Sequence, residues 1–179
     1  ANYDDLRIES AQALMEIDFD GYAIGGLSVG ESKDIMYRIT NLIAPILPTY
    51  KPRYLMGVGD PVDLLEAVGS GIDMFDCVMA TRNARNGSLF TFDGKISIKQ
   101  SKYKEDHLPI EASCQCEVCQ NYSRGYLRHL YQANEILSSR LNSYHNLYFF
   151  KKLMEKAREA ILQNRYLSFK KDFLAQYLP

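Results

Sequence analysis

Three cysteines in the run Cys114-Gln-Cys116-Glu-Val-Cys119 constrain this chain more than any other feature. Thiolates are soft ligands, and three of them this close in sequence converge on a single metal ion. Zinc takes such a set, with a fourth protein ligand, into a closed tetrahedron that leaves no position for water or substrate, so the ion would be structural rather than catalytic. His107, His129 and His145 can each supply the fourth ligand, and spacing alone does not choose among them. The competing interpretation is three buried thiols with no metal. Cys77 stands apart, so the cysteines read as a metal site and a spare thiol rather than a disulfide framework, which implies a reducing, cytoplasmic compartment.

The chain has 179 residues, is 46% hydrophobic and carries a formal charge of −1, enough apolar material for a sizeable core and no overall polyanion-binding character. That average hides an asymmetry. Asp4, Asp5, Glu9, Glu16, Asp18, Asp20, Glu31 and Asp34 face only Arg7 and Lys33 over the first stretch, whereas Lys and Arg dominate after Arg140. No apolar run approaches a membrane span, and the first residues lack the basic-then-apolar layout of a secretion signal.

Hydrophobic periodicity predicts a helix from Asp4 to Ile17, then a buried strand over Tyr22–Leu27. Ser28-Val-Gly-Glu31 has the form of a capping box, and Ile35, Met36, Ile39, Leu42 and Ile43 continue it as a helix that Pro45 and Pro48 end. A second strand is expected over Arg53–Val58, a short helix after the Asp60-Pro61 cap, and a third strand from Met74 to Met79. Strands alternating with helices at this tempo predict βα units in a parallel sheet. The rhythm breaks at Ser88–Ile98, which alternates around Asp93-Gly94 as a β-hairpin does, and from Gly125 onward the spacing is helical. The segment after Arg140, with Lys151, Lys152, Lys156, Arg158, Lys170 and Lys171, offers either RNA-stem contacts or a solvated helix face.

Five stretches in order, Tyr22–Glu31, Tyr54–Gly59, Met74–Val78, Thr81–Gly87 and the Cys114/Cys116/Cys119/His145 set, closely resemble the tRNA-guanine transglycosylases over essentially the whole chain. The Leu-Ser-Val-Gly-Glu run is similar to the bacterial branch, whose enzymes insert the queuosine precursor preQ1. The resemblance implies an α/β fold: the C-terminal part of a (β/α)8 barrel with an inserted hairpin and a zinc-binding helical subdomain, divided into residues 1–100 and 101–179. It also selects His145 as the fourth ligand of one structural Zn2+ per chain.

By the same resemblance Asp76 is the nucleophile. It attacks C1′ of the ribose at anticodon position 34, expels guanine and leaves a covalent intermediate that incoming preQ1 displaces, the double displacement that retaining glycosidases also use. From the residues alone, Asp76 reads as a capping or buried hydrogen-bonded aspartate. Gly25, Gly26 and Leu27 resemble the turn that binds the base through backbone groups, Glu31 a glutamate beside that peptide or simply a helix cap, and Met56 a methionine packed on the base. Gly57, Val58, Gly59, Asp60, Pro61, Val62 and Asp63, and Thr81, Arg82, Asn83, Ala84 and Arg85, resemble two RNA-binding loops. Ala80 departs from the proline common before Thr81 in bacterial members.

The implied partners are the anticodon loop of tRNAs with a G-U-N anticodon, preQ1 or guanine, and a second copy in a homodimer, with no membrane. A barrel takes over about 200 residues, so about five strands are expected upstream, and the isolated chain is expected not to exchange guanine. The alternative is a non-catalytic, zinc-stabilised RNA-binding or dimerisation module. A partner-like eukaryotic subunit would lack the aspartate that Asp76 supplies.

Overall fold

The computed structural model describes residues 3–178, which divide between Val78 and Met79 into two compact units. The expected division at residue 100 is therefore too late. The hairpin, expected with the first unit, packs in the second against the long helix there.

In the first unit, helix α1 spans Asp4–Ile17, β1 Tyr22–Ile24, α2 Lys33–Ile43, β2 Arg53–Leu55, α3 Pro61–Gly69 and β3 Met74–Phe75. The strands form one parallel sheet in the order β1-β2-β3, as the alternation of strands and helices predicts. All three are shorter than expected. Their register pairs Ile24 with Leu55 and Leu55 with Phe75, so Gly25, Met56 and Asp76 follow side by side at the carboxyl edge. Asp76 thus lies just past a strand rather than within one.

Helix α2 buries Met36, Ile39, Thr40 and Ile43, the stripe its spacing predicts. It begins at Lys33 behind Ser32, not after Ser28, because Ser28 adopts a left-handed φ of 58° that no helix entry uses. Helix α3 starts as its sequence indicates: the Asp60 carboxylate accepts from the Val62 amide at 3.1 Å and Pro61 occupies the first turn. The two helices are clasped by Asp63, which accepts from Lys33 Nζ at 2.8 Å and from the Tyr37 hydroxyl. Helix α1 runs over the predicted residues, yet Leu6, Leu14 and Ile17 are exposed and Ala11 alone of its residues is buried.

In the second unit, α4 spans Met79–Arg85, β4 Ser88–Thr91, β5 Gly94–Ser97, α5 Glu117–Asn121, α6 Arg124–Gln132, α7 Ile136–Leu162 and α8 Tyr166–Tyr177. The residues expected as a second RNA-binding loop are therefore helical, because Ala80 and Ala84, one turn apart, are buried where α4 meets α7. In the hairpin Thr91 pairs with Gly94, so Phe92 and Asp93 make the turn. Gly94 follows it at φ 104°, with the Tyr177 carbonyl 3.2 Å from where a Cβ would stand. Asn134, at φ 57°, separates α6 from α7 instead of extending one helical stripe.

The core of this unit has two parts. Phe90 stacks on Phe149 and meets Phe150 edge-on, with ring centroids 5.8 and 4.9 Å apart. Around the cysteines, Leu89, Ile98, Tyr103, Ile110, Val118 and Leu127 form a second buried cluster. The basic residues of α7 are partly committed: Lys151 and Lys152 pair with Glu155, and Lys156 lies 3.9 Å over the Phe92 ring.

Candidate functional site

The carboxyl edge of the three-stranded sheet gathers polar backbone and one carboxylate. Strand alternation turns Arg53 and Leu55 into the core, so Tyr54 faces the other side of the sheet, where its neighbour across the ladder is Met74. Asp76, two residues beyond Met74, faces the same way. The Tyr54 hydroxyl donates to Asp76 Oδ1 at 2.6 Å, and the Gly57 amide donates to the same oxygen at 2.9 Å. The Tyr54 hydrogen bond, and then that from Gly57, hold the Asp76 carboxyl below the ordinary carboxylate range, while the same bond raises Tyr54. Asp76 is exposed, so this is an ionised, directed carboxylate open to solvent rather than a buried capping group.

Next to it, the Met56 amide donates to the Ile24 carbonyl at 3.3 Å, and a Cβ on Gly25 would lie 3.5 Å from the Met56 sulfur. Met56 is exposed and covers the start of the Gly25-Gly26-Leu27 turn. Gly26 takes φ 65°, a conformation glycine adopts without strain. Leu27 is buried, which anchors the turn. Glu31 accepts from the Ser28 amide and, at 3.0 Å, from the Val29 amide. Desolvation pushes the Glu31 carboxyl up, but hydrogen bonds from the Ser28, Glu31 and Val29 amides, with the charge of Arg7, together hold the group below its ordinary range. The reciprocal contact of a capping box is thus present without the cap.

Of the first expected RNA-binding loop, Gly57 is exposed and Asp60 and Val62 are half-buried, whereas Val58, Gly59, Pro61 and Asp63 are buried. Asp63 is spent on the α2–α3 clasp. In the second unit Arg82 and Arg85 are exposed on α4, Thr81 and Asn83 are half-buried, and Ala84 is buried. Tyr54 opens one of the stretches that carry the resemblance but has no role assigned from sequence, and Arg7, which reaches the Gly25 carbonyl, belongs to none of them. Strand alternation could have found Tyr54; nothing local marks Arg7.

The second unit brings Cys114, Cys116, Cys119 and His145 together, all buried, with their donor atoms within 4.8 Å of one another. Nδ1 of His145 lies 3.9, 3.5 and 3.4 Å from the three sulfurs. A tetrahedral zinc, with bonds of about 2.3 Å to sulfur and 2.0 Å to nitrogen, needs sulfur and nitrogen about 3.5 Å apart, so the set fits the ion. Hydrogen bonds from Cys114 and then Cys119 hold the Cys116 thiol far below its ordinary range, the thiolate character a metal ligand needs. His145 Nε2 donates to the Phe90 carbonyl at 2.8 Å, which leaves Nδ1 for the metal. Asn146, fully buried, accepts from the Phe90 amide at 3.1 Å and donates to the Ala80 and Ser88 carbonyls at 2.9 and 3.1 Å. Beside Cys119, the stacked rings of Tyr122 and Tyr126 line an open pocket with His107, Gln120 and Ser123.

Among the described residues no helix is long and apolar enough to cross a membrane. A family model described as queuine tRNA-ribosyltransferase matches residues 1–179. A queuine tRNA-ribosyltransferase of Caldanaerobacter subterraneus subsp. tengcongensis is 59% identical over 175 residues, 98% of this chain and 47% of the relative. That of Thermodesulfovibrio yellowstonii is 59% identical over 172 residues, 96% of this chain and 45% of its own length. That of Fusobacterium nucleatum subsp. nucleatum is 56% identical over 177 residues, 98% and 48% respectively. The chain thus spans about half the length of the curated relatives it matches.

Proposed function

Because the chain belongs to the queuine tRNA-ribosyltransferase family, we propose that it supplies the nucleophile, one wall of the base pocket and a structural zinc centre to an enzyme that exchanges guanine for preQ1 at the tRNA wobble position. The three parallel strands are then part of an eight-stranded barrel, whose catalytic groups gather at the carboxyl ends of the strands, where Asp76 stands.

One observation supports this reading above the others: both donors to Asp76 reach Oδ1, so its ionised carboxylate presents Oδ2 for bond formation. In the first step Oδ2 bonds to C1′ of the ribose, the C1′–N9 bond breaks, and guanine leaves with the electron pair and takes up a proton. In the second step N9 of the incoming base bonds to C1′, the ester-like bond to Asp76 breaks, and that base gives up its proton. One proton is taken up and one is released, so no co-reactant is needed. A carboxylate stabilised by two donors is a moderate nucleophile and a good leaving group, which suits a bond that must form and break in one cycle.

The backbone of Gly25, Gly26 and Leu27 reads the base edge, Met56 covers one face of it, and Arg82 and Arg85 engage phosphates or flanking uridines of a G-U-N anticodon loop. Zinc, held by Cys114, Cys116, Cys119 and His145, fixes the fold of the second unit and takes no part in the exchange. The exposed Tyr126 and its stacked neighbour Tyr122 support homodimerisation through this face. A cytoplasmic location follows from thiolate ligation and the tRNA substrate.

The test joins this chain to the remaining part of the Caldanaerobacter relative and incubates the hybrid with an anticodon stem-loop RNA. A denaturant-resistant protein–RNA adduct is expected, lost in Asp76→Asn with Tm unchanged. An adduct that survives Asp76→Asn would overturn the assignment.

A further inference from the structure

Two opposite charges hold the turn that follows β1. From α1, Arg7 donates through Nη1 to the Gly25 carbonyl at 2.8 Å and through Nη2 to the Gly26 carbonyl at 3.4 Å. From the other side, Glu31 accepts from the Ser28 and Val29 amides, and Arg7 adds an attraction that favours the Glu31 carboxylate. A cation thus takes the carbonyls at one end of the turn and an anion takes the amides at the other. Gly26 and Ser28 sit at φ 65° and 58°, and a serine keeps that backbone only where its surroundings impose it. Among the described residues, the clamp takes the Gly25 and Gly26 carbonyls and the Ser28 and Val29 amides, and the Gly26 and Leu27 amides and the Leu27 carbonyl between them make no hydrogen bond and stay open to a ligand.

We infer that Arg7 is a positioning residue for base recognition: by occupying the Gly25 and Gly26 carbonyls it fixes which donor and which acceptor the turn presents to the purine edge. This rests on the reading that the Gly25–Leu27 turn binds the exchanging base. Arginine suits the task because its planar fork directs separate N–H groups at successive carbonyls, whereas lysine brings a single point charge. Docking α1 on its neighbours is a different job, which the Arg38–Asp4 ion pair between α2 and α1 also performs without touching the turn.

That contrast provides the control. In the hybrid described above, Arg7→Gln, Arg7→Lys and Arg38→Gln are compared by KM for free guanine and preQ1, KM for the RNA, and hydrogen exchange of the Ser28 and Val29 amides. Arg7→Gln is expected to raise the base KM about tenfold, a change the size of one charge-assisted hydrogen bond, and to speed exchange at both amides while the RNA KM holds. Arg7→Lys falls between, and Arg38→Gln changes neither KM. An unchanged base KM, an equal rise in both KM values, or an Arg38→Gln variant that matches Arg7→Gln would overturn the inference alone. A hybrid that exchanges no base before any substitution would overturn the functional reading and this inference together.

Discussion

His145 is tied to Phe90 through its Nε2, 2.8 Å from the Phe90 carbonyl, and the next residue on the same helix, Asn146, accepts from the Phe90 amide at 3.1 Å. Adjacent residues of α7 therefore hold both polar groups of the Phe90 residue in β4, which aims Nδ1 at the sulfur cluster. The hairpin and the Cys3His cluster are one device.

Asn146→Ala should accordingly be costly. The side chain is fully buried and makes three hydrogen bonds, so truncation leaves the Phe90 amide and the Ala80 and Ser88 carbonyls without that partner. A loss of roughly 2–4 kcal/mol is expected from urea unfolding monitored by circular dichroism. The orientation of His145 loosens with it, and zinc affinity measured by chelator competition should fall about tenfold or more.

Metal removal should unfold more than the four ligands. Leu89, Ile98, Tyr103, Ile110, Val118 and Leu127 pack in one cluster with the three cysteines, so that cluster depends on where the sulfurs are held. Elemental analysis is expected to find one zinc per chain, matching the single Cys3His cluster among the described residues. Cobalt exchange should give the absorption of a tetrahedral thiolate site, and Cys119→Ser should abolish both signals and lower Tm. Full metal loading in Cys119→Ser would remove that residue from the ligand set.

The parts of this fold legible in the sequence are those whose signals are local. Asp60-Pro61 announces α3, the three apolar runs give the parallel strands, and the close cysteines give the metal cluster. Spacing could not choose the fourth ligand, because α7 returns His145 from 26 residues beyond Cys119. Ser28 and Glu31 make one half of a capping box, but a left-handed Ser28 delays the helix to Lys33. The Thr81–Arg85 stretch reads as a loop until α7 buries Ala80 and Ala84 and makes it helical. At the site, Asp76 was legible only through the family resemblance, and Tyr54 and Arg7 act across 22 and 18 residues that no short motif spans.

Gly71→Ala should damage the first unit through one contact. Gly71 sits at φ 94°, and a Cβ there would stand 2.6 Å from Nη1 of Arg53, which donates to the Gly71 carbonyl. Arg53 is buried and also donates to the Leu47 carbonyl at 2.8 Å, so its guanidinium has little freedom to retreat. Backbone strain and displacement of the arginine together are expected to cost about 1–3 kcal/mol in chemical denaturation. Gly30→Ala is the comparison: its φ is also positive, at 125°, but nothing lies within 4 Å of the added carbon. It should bear the strain without the collision, so equal losses in the two variants would show that Arg53 moves freely.

Tyr54→Phe isolates the stronger of the two donors to Asp76. The Tyr54 hydroxyl and the Gly57 amide both favour the ionised form, so Asp76 titrates below the ordinary carboxylate range and stays charged into mild acid. The sign follows directly: removing the hydroxyl withdraws stabilisation from the carboxylate alone, so the pKa rises. Carbon-13 titration of the Asp76 carboxyl in this chain is expected to show that rise, with Gly57 still holding it short of a fully isolated aspartate. In the hybrid enzyme, the acidic limb of adduct formation should move upward in the same direction, because the proposed mechanism needs an ionised carboxylate to attack. A Tyr54→Phe variant with an unmoved Asp76 titration would show that the 2.6 Å contact does not govern the charge on that carboxylate.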